Sequence, residues 1–165
     1  MKKCIVFIAV NLLMLNYLVA QQAAKAAYAE IGGPGLFSVN YDMRFQKKED
    51  GLGFRVGVGG FSLRNNSSGG NNERIGITTF PVGLTYLLGK NSKNYFESGV
   101  GATFLLLRES SGVDSEIFNT TFGHLYAGYR LQPANSGFLF RGGLYAFFTE
   151  GGLAPFAGIS LGYKF

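Results

Sequence analysis

The sequence predicts an all-β chain: an antiparallel up-and-down transmembrane β-barrel of eight strands behind a cleaved signal peptide. Three observations carry that prediction. Apolar and polar residues alternate with period two through segment after segment beyond residue 35. Glycine (25 residues), Phe (16) and Tyr (9) are abundant, while charged residues make up only 15%, against about a quarter in an average globular chain. Mean hydropathy is slightly positive, yet no stretch after residue 20 has the roughly 18 consecutive apolar residues of a membrane helix.

At 165 residues the chain holds one ordinary domain, divided into a signal peptide (1–20) and a barrel domain (21–165). Lys2 and Lys3 form a basic start, Cys4 to Leu15 an apolar run broken only by Asn11, and Leu-Val-Ala leads to Ala20. That run is too short for a membrane anchor and no basic stop follows it. Cleavage is placed after Ala20, with cuts near Ala24 or Ala27 as alternatives. The only cysteine, Cys4, leaves with the signal, so the mature chain can form no disulfide or cysteine metal site. Cys4 also precedes the apolar run, which does not suit lipid attachment. Loss of Lys2 and Lys3 lowers the net charge from +5 to +3. So weak and dispersed a charge points to no nucleic-acid partner.

The strands follow in order. Lys25–Ile31 is the first, turned at Gly32-Gly33-Pro34-Gly35; one long strand bent at those glycines is the alternative. In Leu36–Phe45, Phe37, Val39, Tyr41, Met43 and Phe45 share one face, while Ser38, Asn40, Asp42 and Arg44 share the other. A short turn at 47–51 leads to Leu52, Phe54, Val56 and Val58, opposite Gly53, Arg55, Gly57 and Gly59. Residues 64–73 read as a long polar loop. Phe80, Val82, Leu84, Tyr86 and Leu88 resume the pattern, with Pro81 marking a local irregularity. After a short turn at 90–94, Phe96, Val100, Ala102, Phe104 and Leu106 face away from Glu97, Gly99, Gly101 and Thr103. Residues 108–119 read as a second long loop. Leu125, Ala127, Tyr129 and Leu131 oppose His124, Tyr126, Gly128 and Arg130. Beyond the turn at 132–137, Phe138, Phe140, Leu144, Ala146 and Phe148 oppose Arg141, Gly143 and Tyr145. The final strand sets Ile159, Leu161, Tyr163 and Phe165 against Gly158, Ser160, Gly162 and Lys164.

A soluble barrel would turn its apolar face inward, but these faces are too bulky to fit inside eight strands. Inverting the barrel places Phe, Tyr, Leu and Val against lipid, and glycine with single charges in the lumen. Strands of about ten residues then span the apolar band. Closure is obligatory, because an open sheet edge cannot be left in lipid.

The terminal aromatic with apolar residues at alternate places, Ile159, Leu161, Tyr163 and Phe165, resembles the last strand of bacterial outer-membrane proteins. Over about residues 25–165 the chain resembles small eight-stranded outer-membrane barrels of the OmpA, OmpX and OmpW kind. The resemblance implies export through the periplasm to the cell outer membrane, contact with its lipid, and recognition of the terminal strand by the barrel-assembly machinery. Ser160, where the family often has glycine, and the absence of Trp are departures. No wall-binding domain follows the barrel, so OmpA-type wall tethering is not expected.

Six charged residues are expected in the lumen near the short-turn end: Arg44, Arg55, Glu97, Arg130, Arg141 and Lys164. Glu97 is the one acid among them and the expected counterion, with Arg55 a candidate partner; Asp42 and Glu30 belong further up the same interior. A salt-bridged plug fits them better than an anion-selective constriction. His124, the only histidine, lacks a nucleophile and acid at any catalytic spacing, although Ser38 or Ser160 could be offered, and a lone histidine makes a poor metal site. Gly57-Val58-Gly59-Gly60 is no phosphate loop, since no helix follows. Asn66-Ser67-Ser68 and Asn119-Thr120-Thr121 match the glycosylation pattern and carry little weight in a bacterial protein. No catalytic residue, metal or cofactor is expected, and the sequence names no surface ligand. A structural or interaction barrel with surface loops and a filled lumen is favoured over a narrow passive pore for small or hydrophobic solutes, and over a membrane-embedded lipid-modifying enzyme.

Overall fold

The computed structural model describes residues 23–66, 72–89, 93–111, 114–149 and 151–165. The expected signal peptide lies outside them. Eight strands are present: β1 (Lys25–Gly32), β2 (Phe37–Arg44), β3 (Gly51–Asn66), β4 (Asn72–Leu88), β5 (Asn94–Ser111), β6 (Asp114–Leu131), β7 (Gly137–Thr149) and β8 (Gly152–Lys164). Each pairs antiparallel with the next, and β8 closes on β1 from Ala26↔Lys164 to Gly32↔Gly158. The first hairpin is therefore two strands, not one bent strand. A single 3-10 turn, Gly33–Gly35, joins them.

Period-two alternation becomes a two-faced wall. Along β2, Ser38, Asn40, Asp42 and Arg44 are buried, whereas Phe37 and Val39 are exposed. The exposed apolar residues continue around the barrel as Leu84, Val100, Leu125, Leu144, Ile159 and Leu161. A soluble protein would hide such residues; a barrel in lipid turns them to the acyl chains.

The polar stretches at 64–73 and 108–119 are not the long loops their composition suggests. β3 and β4 stay paired out to Asn66↔Asn72, and β5 and β6 out to Ser111↔Asp114. The alternation that marks the strands lower down is lost there while the ladder continues. Residues 67–71 and 112–113 lie outside the described residues. Pro81 has the expected local effect. The β3–β4 ladder lapses between Val56↔Val82 and Gly59↔Thr79, whereas Pro81 keeps its place opposite Thr103 on β5.

The interior is filled by side chains rather than left hollow. Arg44, Arg130, Arg141, Tyr28 and Tyr145 are its largest fully buried residues. Inward glycines make room for them: a Cβ on Gly57 would fall on the Asn40 amide, and one on Gly162 would fall on Tyr28 and the Ala27 carbonyl.

Candidate functional site

Inward positions on six strands assemble one charged column. At its short-turn end Arg44 pairs with Asp42 and donates to Thr85 Oγ1, to the Thr85 carbonyl at 3.2 Å and to the Gly51 carbonyl at 3.0 Å. The other Asp42 oxygen accepts from Arg130 Nη2 at 3.0 Å. Arg130 Nη1 lies 3.6 Å from Glu97, and Glu97 takes Arg141 side-on, Nε at 2.8 Å and Nη2 at 2.6 Å. Arg141 Nη1 reaches Glu30 at 3.1 Å, and the other Glu30 oxygen accepts from Arg55. The order Arg44–Asp42–Arg130–Glu97–Arg141–Glu30–Arg55 thus alternates cation and anion without a break. Four guanidiniums face three carboxylates, all with side chains at most 4% exposed.

Neutral groups add to the shell, while Arg44 Nε and Arg130 Nε and Nη1 are buried without a hydrogen-bond partner. Asn40 accepts from Arg55 Nε at 3.0 Å, and Arg55 donates to Tyr145 OH at 2.7 Å. Tyr145 OH and Ser160 Oγ each donate to Glu30 at 3.0 Å. Ser160, where the resembled family often carries glycine, is therefore part of the network. The Arg141 guanidinium lies 4.6 Å from the Tyr28 ring centre and 4.9 Å from that of Tyr126, which replaces part of its lost hydration by cation–π attraction. Saturating a buried charge in this way is what makes it tolerable away from water.

Two corrections follow. Glu97 is not the sole acid in the arginine layer, because Asp42 sits between Arg44 and Arg130. Arg55 is the partner of Glu30, not of Glu97. Lys164 stands outside the column: its ammonium pairs with Glu49 and donates to the carbonyls of Pro133 at 3.0 Å and Ala134 at 2.6 Å. Gln132 donates to Glu49 Oε2 at 2.8 Å. Glu49, from the β2–β3 turn, thereby bridges the short-turn mouth to the β6–β7 turn and to β8. In the sequence Glu49 is marked only by the short turn at 47–51, and Gln132 only by the turn at 132–137, because no periodic signal marks a turn residue that folds across an opening.

The opposite end is closed by the β1–β2 turn. Gly33, Pro34 and Gly35 are all buried, and Thr79 Oγ1 donates to the Gly35 carbonyl at 3.0 Å. Gly32 and Gly33 take positive φ (80° and 64°), as glycine can without strain, but so does Leu36 at 61°. Its N–H donates to the Gly33 carbonyl at 3.3 Å and its carbonyl accepts from Gly32 N–H at 2.7 Å. That tight turn folds into the bore rather than out of it.

His124 is buried, its Nδ1 3.5 Å from Thr103 Oγ1 and its ring edge-on to Tyr145 and Phe147. Ser160 is engaged by Glu30 and Arg141, and Ser38 accepts from Asn40 at 2.9 Å. The described contacts bring His124 to neither serine. At the terminal strand Ile159, Leu161, Tyr163 and Phe165 are all exposed on the outer wall, and Phe165 N–H donates to the Lys25 carbonyl at 3.0 Å across the seam.

No protein-family model matches this chain, and no curated protein does. Solved structures match it well in shape. The N-terminal β-barrel domain of Pseudomonas aeruginosa OprF aligns with TM-score 0.55 at 12% identity, covering 88% of this chain and 98% of that one. Ail, the attachment invasion locus protein of Yersinia pestis, solved with the heparin analogue sucrose octasulfate, gives 0.54 at 14% identity, covering 87% and 97%. Neisserial surface protein A gives 0.51 at 11% identity, covering 86% and 94%. Likeness at such identity is likeness of fold, and with the closed eight-strand topology it identifies the chain's architecture as that of the small outer-membrane β-barrels.

Proposed function

We propose that the chain is a non-conducting structural and surface-interaction barrel of the cell outer membrane, and not an enzyme. One observation carries the proposal: the alternating column from Arg44 to Arg55 occupies the lumen, with the Gly33–Gly35 turn at one end and Glu49, Gln132 and Lys164 at the other. A through-path for ions would have to break several of these pairs, at about 3–5 kcal/mol for each charge left unpartnered. In this reading the apolar outer wall meets membrane lipid, the terminal strand is the element read by the assembly machinery, and the tall β3–β4 and β5–β6 hairpins present the outward surface.

The deciding experiment is single-channel recording of the purified barrel in planar bilayers. Silence at moderate voltage is expected; steady, anion-selective steps from the wild-type protein would refute the plug and favour the narrow-pore alternative. Fractionation supplies the companion test: the mature protein should sediment with outer membranes and resist carbonate extraction.

A further inference from the structure

Above the Gly33–Gly35 turn the inward face changes character. Leu105 lies opposite buried Thr79, Phe122 opposite buried Thr103, Phe147 opposite buried His124, and Phe156 opposite buried Tyr145. Register places such partners on one face, so all four side chains project to the lumen side. Phe61 and Ile77 pair with each other two residues beyond Gly59↔Thr79 and share that face. The lumen is charged below the turn and apolar above it. This upper cluster is not sealed: Phe156 is 41% exposed although its ring stacks on Phe147 at 5.6 Å.

The wall is incomplete at the same height. β8 pairs with β1 only as far as Gly32↔Gly158, and β3 with β2 only as far as Ser38↔Gly59. Beyond those points Gly152–Ala157 pairs with β7 alone, and Gly60–Asn66 with β4 alone. The missing width is that of β1 and β2, and their turn forms the sill. Exposed Ile31, Phe37 and Leu153 bring the lipid-facing surface up to that gap. Free backbone N–H and C=O groups along the two edges cannot face hydrocarbon, so the gap suits the level where head-group and ester oxygens are at hand.

We propose that this opening admits a membrane lipid from the outer leaflet, with one acyl chain lying against Phe122, Phe147 and Phe156 and its polar head at the β3 and β8 edges. The proposal rests on the membrane-barrel reading. Continuity between the lipid-facing belt and the inner apolar cluster selects lipid over a water-borne ligand.

The chain contains no Trp, so single-Trp reporters are free of background. Phe147→Trp reports the inner cluster and Phe148→Trp, on the outer wall, reports ordinary lipid contact. Each folded variant is reconstituted in phosphatidylcholine with dibrominated acyl chains. Bromolipid should quench Phe147→Trp as strongly as Phe148→Trp. Adding Phe122→Asn and Phe156→Asn should abolish the quenching at Phe147→Trp alone. Quenching of Phe147→Trp by aqueous acrylamide instead, shielding from both quenchers, or bromine quenching that survives the two asparagines would each overturn the proposal. Absence of bromine quenching at Phe148→Trp would overturn the membrane reading itself, which keeps the two failures distinct.

Discussion

Arg141 on β7 holds Glu97 on β5 in a two-bond, side-on pair that crosses above the intervening strand β6, with Nε–Oε2 at 2.8 Å and Nη2–Oε1 at 2.6 Å. Such forked pairs are the strong form of the arginine–carboxylate contact. Because Arg130 also leans on Glu97, this one carboxylate separates two guanidiniums.

Glu97→Ala should therefore destabilise the barrel by about 3–5 kcal/mol, read as a lower temperature for the heat-induced gel-mobility shift in detergent. Pairing Glu97→Gln with Arg141→Gln should recover part of that loss. Pairing Glu97→Gln with Arg55→Gln should not, since Arg55 belongs to Glu30. Recovery with Arg55 rather than Arg141 would contradict the observed pairing.

Glu49→Gln should behave differently. Its side chain is 35% exposed, so solvent screens the Lys164 contact and the loss should stay below about 1 kcal/mol. A melting shift as large as that of Glu97→Ala would make the short-turn lid a principal stabilising element.

Gly162→Ala tests the fit of small residues to large ones. Its new methyl would land on Tyr28 and the Ala27 carbonyl at the β1–β8 seam, and overpacking of this kind costs about 1–3 kcal/mol. Gly152→Ala, where a Cβ meets nothing but φ is 112°, isolates backbone strain from crowding. Reduced folded yield should follow Gly162→Ala, and an equal yield from wild type and Gly162→Ala would count against close packing there.

Deleting Phe165 should slow assembly into membranes far more than it lowers the melting temperature of the assembled barrel. The residue is 55% exposed, and it is tied to the body by the N–H bond to Lys25 and a tilted ring contact with Tyr41 at 6.4 Å. Unchanged assembly kinetics in the truncated protein would remove the terminal strand's role as an insertion signal.

Strand faces were legible in the sequence because period two is a local property: Asp42 and Arg44, or Arg130 and His124, share a face whatever the partner strands do. Pairing across the lumen was not. Strands in a barrel tilt and stagger, so residues at different distances from their own turns meet at one height. Asp42, placed higher by counting from the turn, thus lies between Arg44 and Arg130. The inner apolar cluster was hidden for another reason. Where Leu105, Leu106 and Leu107 or Phe147 and Phe148 adjoin, both faces are apolar and alternation gives no signal.

Glu30 sits on the first strand, and it is reached by Arg55 on β3, Arg141 and Tyr145 on β7, and Ser160 on the last. The first and last strands of the barrel are thus joined twice, by a backbone ladder and by a shared carboxylate. A sheet that has formed β2 to β8 but not yet received β1 leaves Arg55 and Arg141 without that anion. Ring closure and charge neutralisation become a single event, and fraying at the seam exposes two cations at once. The joint made between residues most distant in sequence, ordinarily the slowest contact to form, is in this way made costly to undo.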